Sequence, residues 1–291
     1  MAKRIGIIGA SGWIGRHLAE ALLKRGDQVI GFSRRENPNE DHEWRVWDGS
    51  GEIDLSGIDA VINLAGEAID QRWTASKKKT FYESRVTLTK ELVKSVDHQK
   101  VSQLLNSSAV GIYGDRGDEE LPEITTPASN YLAQLCVDWE KATQGVDAKV
   151  CLLRTGVVLG KDGRAWKKML PPFKLGLGGK LGSGKQWMPW IHLADEIGGI
   201  LHCLDHEIEG PVNLVAPESI TNTEFTKAMG GVIHRPTIFM APAFALKLAL
   251  GDFAKEGLLA SQRVIPRILL NSRYQFQFPE LEGALEALLE S

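Results

Sequence analysis

The chain has 291 residues, 43% of them hydrophobic and 24% charged, which excludes wholesale disorder and fits one large α/β domain or a core with an appendage. Lysine and arginine total 34 against 37 aspartates and glutamates, a net charge of −3, so no basic excess exists to drive general nucleic-acid binding. Cys136, Cys151 and Cys203 stand far apart with no CxxC, which argues against a disulfide framework or a metal site and for a reducing compartment.

In chain order, Arg4 to Ile8 is a β-branched run ending in glycine and reads as a buried strand. A helix is expected from Gly12, because Ile14, Leu18 and Leu22 recur every four residues and Gly26 follows Lys24 and Arg25. Gln28 to Phe32 and Ala60 to Leu64 read as the next strands, and 75–96 as a helix with Phe81, Leu88, Leu92 and Val96 near one face. Strands at Leu104 to Ser108 and Lys149 to Leu153 flank a helix over about 130–143. Alternation at this spacing predicts a doubly wound parallel sheet of the Rossmann α/β class. After Arg154, Pro171 to Gly184 reads as a loop or lid, Val212 to Val215 as a late strand, and Thr221 to Glu224 as a capping box opening a helix. From Pro242 two helices, an aromatic strand (Tyr274, Phe276, Phe278) and a final helix are expected. The domain reading is a dinucleotide-binding core over 1–160, a substrate-side region over 161–239 interleaved with the strand at 212–215, and a smaller C-terminal module over 240–291.

The strongest local signal is Gly9-Ala-Ser-Gly12-Trp-Ile-Gly15 between the first strand and helix. Gly9 permits the tight turn, Gly12 lets backbone approach a pyrophosphate, and Gly15 lets helix and sheet pack closely. Gly9, Ser11, Gly12, Trp13, Ile14 and Gly15 are therefore expected to bind a dinucleotide. NAD-binding folds usually end the second strand with an acidic residue for the ribose 2′-hydroxyl. Here the strand ends Ser33-Arg34-Arg35, with no carboxylate before Glu36. A hydroxyl and two guanidinium groups suit a 2′-phosphate, so NADP(H) is expected in preference to NAD(H). Gly179 to Gln186 imitates an ATP phosphate loop, but Gln186 stands where a magnesium-binding hydroxyl is required and no buried strand precedes it.

With this turn in place, further motifs carry a resemblance: Asn63-Leu-Ala-Gly-Glu67, Arg72-Trp73, Ser84-Arg85, Ser107-Ser-Ala-Val-Gly-Ile-Tyr113-Gly114, Arg154 to Gly160, Trp190-Ile-His192 and Asn213 to Pro217. The chain resembles the extended short-chain dehydrogenase/reductase superfamily. More closely, it is similar to the NAD(P)-dependent epimerase-like family that bears a small C-terminal module of unknown function. The resemblance implies that Asn63, Leu64, Ala65 and Gly66 line the adenosine side of the cofactor and that Arg85 reaches toward it. It also implies that Ser107 and Ser108 end the strand carrying the catalytic serine, and that Thr155 and Val157 pass near the nicotinamide.

Hydride-transferring members use Tyr-x-x-x-Lys on a helix, where i,i+4 spacing puts both side chains on one face. The matching stretch is Tyr131-Leu-Ala-Gln-Leu135: the tyrosine is present and the lysine is a leucine. An unassisted tyrosine titrates near ~10 and makes a poor base at neutral pH, but it can still donate a proton. Tyr131, Ser108 and Glu67 are the catalytic candidates, with Arg72, Cys136 and His192 in reserve. Two readings stay open: an NADP(H)-dependent oxidoreductase or sugar-nucleotide-type epimerase, or an NADP(H)-binding regulatory or interaction module with weak or no catalysis. The expected partner is a small, sugar-like molecule, with neither nucleic acid nor membrane, and the protein a monomer or homodimer. No run approaches the roughly 20 apolar residues that span a bilayer, and the first strand begins too early to leave room for a signal peptide, so a cytoplasmic location is expected.

Overall fold

The computed structural model describes residues 2–34 and 42–290. The strands are β1 (Arg4–Ile8), β2 (Gln28–Ser33), β3 (Glu43–Val46), β4 (Ala60–Asn63), β5 (Gln103–Ala109), β6 (Glu120–Leu121), β7 (Lys149–Thr155), β8 (Val157–Leu159), β9 (Gly179–Leu181), β10 (Trp190–His192), β11 (Gly210–Leu214), β12 (Phe239–Ala241) and β13 (Arg263–Val264). The helices are α1 (Trp13–Lys24), α2 (Ala75–Tyr82), α3 (Leu88–His98), α4 (Tyr131–Lys141), α5 (Arg164–Lys174), α6 (Leu193–Asp205), α7 (Asn222–Ile233), α8 (Ala243–Leu250), α9 (Arg267–Asn271) and α10 (Leu281–Glu290). A π-helical turn, Glu83–Thr87, joins α2 to α3.

Seven strands form one parallel sheet in the order β11-β7-β5-β4-β1-β2-β3, with order reversing on either side of β1 and β4. A parallel sheet needs both faces covered. Ile5 and Ile7 of β1 pack on one face with Leu18 and Leu22 of α1 and Ile200 of α6, while Ile8 packs on the other with Leu92 and Val96 of α3. The register sets Asn63 beside Asn106 across β4 and β5, and Ser108, Arg154 and Asn213 side by side across β5, β7 and β11. All five residues lie at the carboxyl edge of the sheet, where ligands of doubly wound folds bind.

Beyond the sheet, Trp166 and Phe173 of α5, Phe225 and Met229 of α7 and Leu281, Leu285 and Leu288 of α10 share a second core. Packing of Trp166 and Phe173 carries α5 through Pro171 and Pro172, where the sequence suggests a loop; after Lys174 the stretch is irregular except for β9. The segment holding Tyr274, Phe276 and Phe278 is extended coil instead of a strand. Its Gln277 and Phe278 N–H groups donate to the Asp195 carboxylate at 2.8 Å each, and Tyr274 Oη donates to Asp195 Oδ1 at 3.0 Å, so a buried acid takes the place of a neighbouring strand. The Thr221–Glu224 capping box forms as expected.

Candidate functional site

The glycine turn is built as its spacing requires. Gly9 has φ +85°, and a Cβ there would lie 3.1 Å from backbone atoms of Leu64 and Ala65. Gly12 N donates to Gly9 O at 2.9 Å, and a Cβ on Gly15 would fall 2.4 Å from that same oxygen. Gly12 caps α1 with no side chain accepting from the first turn, so those N–H groups and the positive end of the helix dipole suit an anion. Ser11 is exposed, Ile14 is half-buried, and the Trp13 ring lies over Gly160 and Gly163. This backbone cradle fits a dinucleotide pyrophosphate.

At the end of β2, Ser33 is half-buried and Arg34 exposed; Arg35 lies outside the described residues. Asn63 is fully buried. Its amide donates to Asn106 Oδ1 at 2.7 Å and Thr89 Oγ1 at 3.1 Å, and its Oδ1 accepts from Ala65 N at 3.2 Å. Asn63 therefore shapes the Leu64–Gly66 segment that presses on Gly9. Arg85 stands on the π-helical turn, a distortion common at functional positions because it re-aims side chains. A Cβ on Gly66 would lie 3.1 Å from the Arg85 guanidinium carbon, which sits 5.1 Å from the Trp139 ring centroid. No carboxylate among the described residues pairs with Arg85, and burial pulls its pKa down.

Tyr131 opens α4, half-buried, with its hydroxyl donating to the Lys78 carbonyl at 3.2 Å and the Lys78 ammonium 4.5 Å from its ring centroid. Burial pushes the phenol pKa up; the Arg85 charge opposes this and the Glu256 carboxylate adds to it. Leu135 is buried against Trp73, Phe81 and Trp139, so the position of the motif lysine belongs to the core. The C-terminal region completes these surroundings: Glu256 Oε2 accepts from Leu132 N and Asn130 Nδ2, both at 2.9 Å, and caps α4.

Ser108 is committed elsewhere. Its hydroxyl donates to Glu140 Oε1 at 2.7 Å, and Glu140 takes two further bonds of 2.8 Å from Arg154. Arg154 also donates to Tyr113 Oη at 2.9 Å, and Tyr113 donates to Asn213 Oδ1 at 2.7 Å. Burial works against the Arg154 charge, but Glu140 and Tyr113 outweigh it and hold the guanidinium protonated. Ser107, one residue earlier, points to the opposite face of β5 and is half-exposed. Glu67 is 41% exposed, 3.5 Å from the Lys77 ammonium, and its N–H donates to Ser84 Oγ. Thr155 Oγ1 donates to Glu196 Oε1 at 2.9 Å, and Val157 N to Pro189 O at 2.8 Å.

The reserve candidates take structural places. His192 Nδ1 caps α6 by accepting from Ala194 N, its ring 4.0 Å from that of Phe278. Cys136 is fully enclosed, its thiol pushed up to about 12 by burial, and Arg72 donates to Leu248 O. Glu140, Lys78, Glu196 and Glu256 escaped the sequence reading, because each acquires its place through partners far along the chain. The described residues hold no cluster of three metal-binding side chains. A cavity of about 670 Å³ behind the turn is lined by Trp13, His17, His192, Ile197 and Phe278, and of the candidate residues it includes Trp13 and His192.

This sheet order, with a glycine turn between β1 and α1 and polar side chains along the carboxyl edge, defines a dinucleotide-binding protein of the Rossmann class. Residues 5–215 match the NAD dependent epimerase/dehydratase family, and the chain belongs to that family. Residues 241–288 match a domain of unknown function, DUF1731. Epimerase family protein ML0860 of Mycobacterium leprae is 41% identical over 288 residues, covering 97% of this chain and 94% of the relative. The human epimerase family protein SDR39U1 is 34% identical over 295 residues, covering 98% and 99%. Its crystal structure with NADPH superposes at a TM-score of 0.91 and 33% identity, covering 99% of each chain. A nucleoside-diphosphate sugar epimerase from Corynebacterium glutamicum gives 0.80 at 32% identity, with this chain spanning 58% of its length.

Proposed function

We propose that this protein binds NADP(H) and uses it in an oxidoreductase or epimerase reaction on a small sugar-like molecule, acting in the cytoplasm as a monomer or homodimer. The observation that carries the reading is the glycine cradle, whose backbone and uncapped helix start fit a pyrophosphate. The human relative crystallised with NADPH supports the cofactor, and the Corynebacterium relative's description supports the substrate class. Gly9, Ser11, Gly12, Trp13, Ile14 and Gly15 would hold the diphosphate, and Ser33, Arg34 and Arg35 the 2′-phosphate. Leu64 to Gly66, positioned by Asn63, would flank the adenosine side, with Ser107, Thr155 and Val157 further along the same edge.

When bound, the nicotinamide supplies hydride acceptance and donation. Tyr131, with its pKa raised by burial, suits proton donation better than abstraction, and Arg85 stabilises negative charge developing beside it. Ser108, whose proton is committed to Glu140, positions the strand end and can only accept. Glu67 is an exposed carboxylate beside this edge and a candidate substrate contact.

Calorimetric titration with NADPH and NADH, repeated on Arg34→Ala/Arg35→Ala, tests the cofactor assignment. NADPH is expected to bind at least tenfold tighter, about 1.4 kcal/mol, and the double variant to lose the preference; binding of neither nucleotide rejects the reading. The burial of Leu135 favours a second reading, in which NADP(H) occupancy without turnover serves a regulatory or interaction role. Turnover lost in Tyr131→Phe with cofactor affinity kept would decide against it.

A further inference from the structure

Charge is distributed very unevenly along this nearly neutral chain. Residues 163–194 and 225–251 contain nine lysines and arginines and no aspartate or glutamate, leaving 25 basic against 37 acidic residues elsewhere. The two segments meet in space, since β9 pairs with β12, placing Phe239 beside Gly179 and Met240 beside Lys180, and Gly182 N donates to Ala241 O. Arg164 and Lys168 are tied to Asp70, and Lys167 to Asp162. Lys174, Lys185, Lys227, Arg235 and Lys247 are exposed and make no ion pair with any described residue.

The same segments expose a group of large apolar side chains. Leu175 and Leu177 follow α5, and Ile238, Phe239 and Met240 enter and form β12. Phe244 and Leu248 stand at i,i+4 on α8, each 75% exposed, and no residue of α8 is buried. A soluble surface rarely gathers this much apolar area without an occupant. A second copy docked face to face would set the same unpaired cations against each other. Apolar side chains on projecting elements, rimmed by lysines, instead match the boundary between acyl chains and anionic headgroups.

We propose that this lobe, formed by the end of α5, β9, β12 and α8, docks on an anionic lipid bilayer surface. Phe244, Leu248, Ile238 and the Leu175–Leu177 loop enter the headgroup region, and Lys174, Lys185, Arg235 and Lys247 meet lipid phosphates. The expectation of no membrane partner rested on the lack of a spanning segment, and a surface contact needs none. The C-terminal end of α8 abuts the surroundings of Tyr131 through Arg72 and through the Lys78–Asp252 ion pair, so docking brings that edge of the sheet toward the lipid.

Flotation of the full chain with vesicles of phosphatidylcholine, alone or containing phosphatidylglycerol, tests this. The wild-type chain is expected to float with the anionic vesicles, to stay behind with phosphatidylcholine alone, and to be released by salt. Phe244→Ser/Leu248→Ser and Lys174→Glu/Lys247→Glu should each reduce partitioning about tenfold while keeping the wild-type unfolding midpoint. Failure of the wild type to float with anionic vesicles at low salt, or flotation of both variants like wild type, overturns the proposal.

Discussion

A methyl group at Gly15 would sit 2.4 Å from Gly9 O and 2.9 Å from Ala10 Cα, and none of these backbone atoms can retreat without opening the turn. Gly15→Ala should therefore destabilise the chain by about 1–3 kcal/mol in denaturant unfolding, the usual cost of overpacking. Gly283→Ala on α10 is the matched control, because a Cβ there meets nothing within 4 Å; it should be neutral or stabilising by about 0.5–1 kcal/mol. Glu196 gives a pH signature. It is fully buried, its Oε2 has no partner among the described residues, and burial pushes its carboxyl up to about 8 despite the Thr155 hydrogen bond. Between its ordinary range and pH 8 the unfolded chain ionises this group and the folded chain does not. Stability must then fall as pH rises, by at most about 1.4 kcal/mol per unit from this group. Glu196→Gln should unfold like wild type near pH 4, below the ordinary carboxyl range, and become the more stable protein toward pH 9; parallel pH profiles would show that Glu196 is ionised in the fold.

At the scale of elements, α4 shows how the site is assembled. It presents Tyr131 at its first turn, sinks Leu135 into the core, and is capped by a carboxylate 124 residues away from Leu132. Leu135→Lys, which rebuilds the superfamily motif in sequence, should not rebuild it in space. A buried lysine without a partner should lower the unfolding midpoint sharply or titrate neutral, while NADPH affinity shows no gain. The sequence displayed six of the seven parallel strands, α1 and the glycine turn, because their local patterns are set by neighbours within a few residues. It did not display β3, β6 or the short pairs β8–β10 and β9–β12, where two to four residues hold their place through tertiary partners. Nor did it display the continuation of α5 through Pro171, where apolar packing overrides the proline signal. The aromatic alternation at Tyr274, Phe276 and Phe278 was real, but its hydrogen bonds go to Asp195, and a carboxylate that acts as a strand leaves no local trace. Among the site residues, position on the carboxyl edge was legible from motif and strand end. Orientation was not: Ser108 faces Glu140, and nothing local distinguishes it from Ser107 beyond alternation.

For the whole molecule, the C-terminal residues matched by DUF1731 are joined to the core by a few acids, Asp195 and Glu123 buried and Glu256 half-buried. Asp195 holds the Tyr274–Phe278 segment, Glu123 Oε1 accepts from Asn213 N and Ile268 N, and Glu256 caps α4. Asp195→Asn keeps the shape but gives up charge-assisted acceptance, so limited proteolysis should cut near residues 274–280 well before the core loses its fold. The Ser108–Glu140–Arg154–Tyr113–Asn213 chain has a consequence in time as well as space. It crosses three adjacent strands near their ends, where a parallel sheet would ordinarily fray, and Ser108, Arg154, Tyr113 and Asn213 are buried while Glu140 is half-buried. Amides of β5, β7 and β11 should then exchange with solvent deuterium only when the whole chain unfolds, whereas those of β9, β12 and α8 should exchange through local opening. The molecule would keep its slowest clock at the edge that faces a cofactor and its fastest at the lobe that meets the outside.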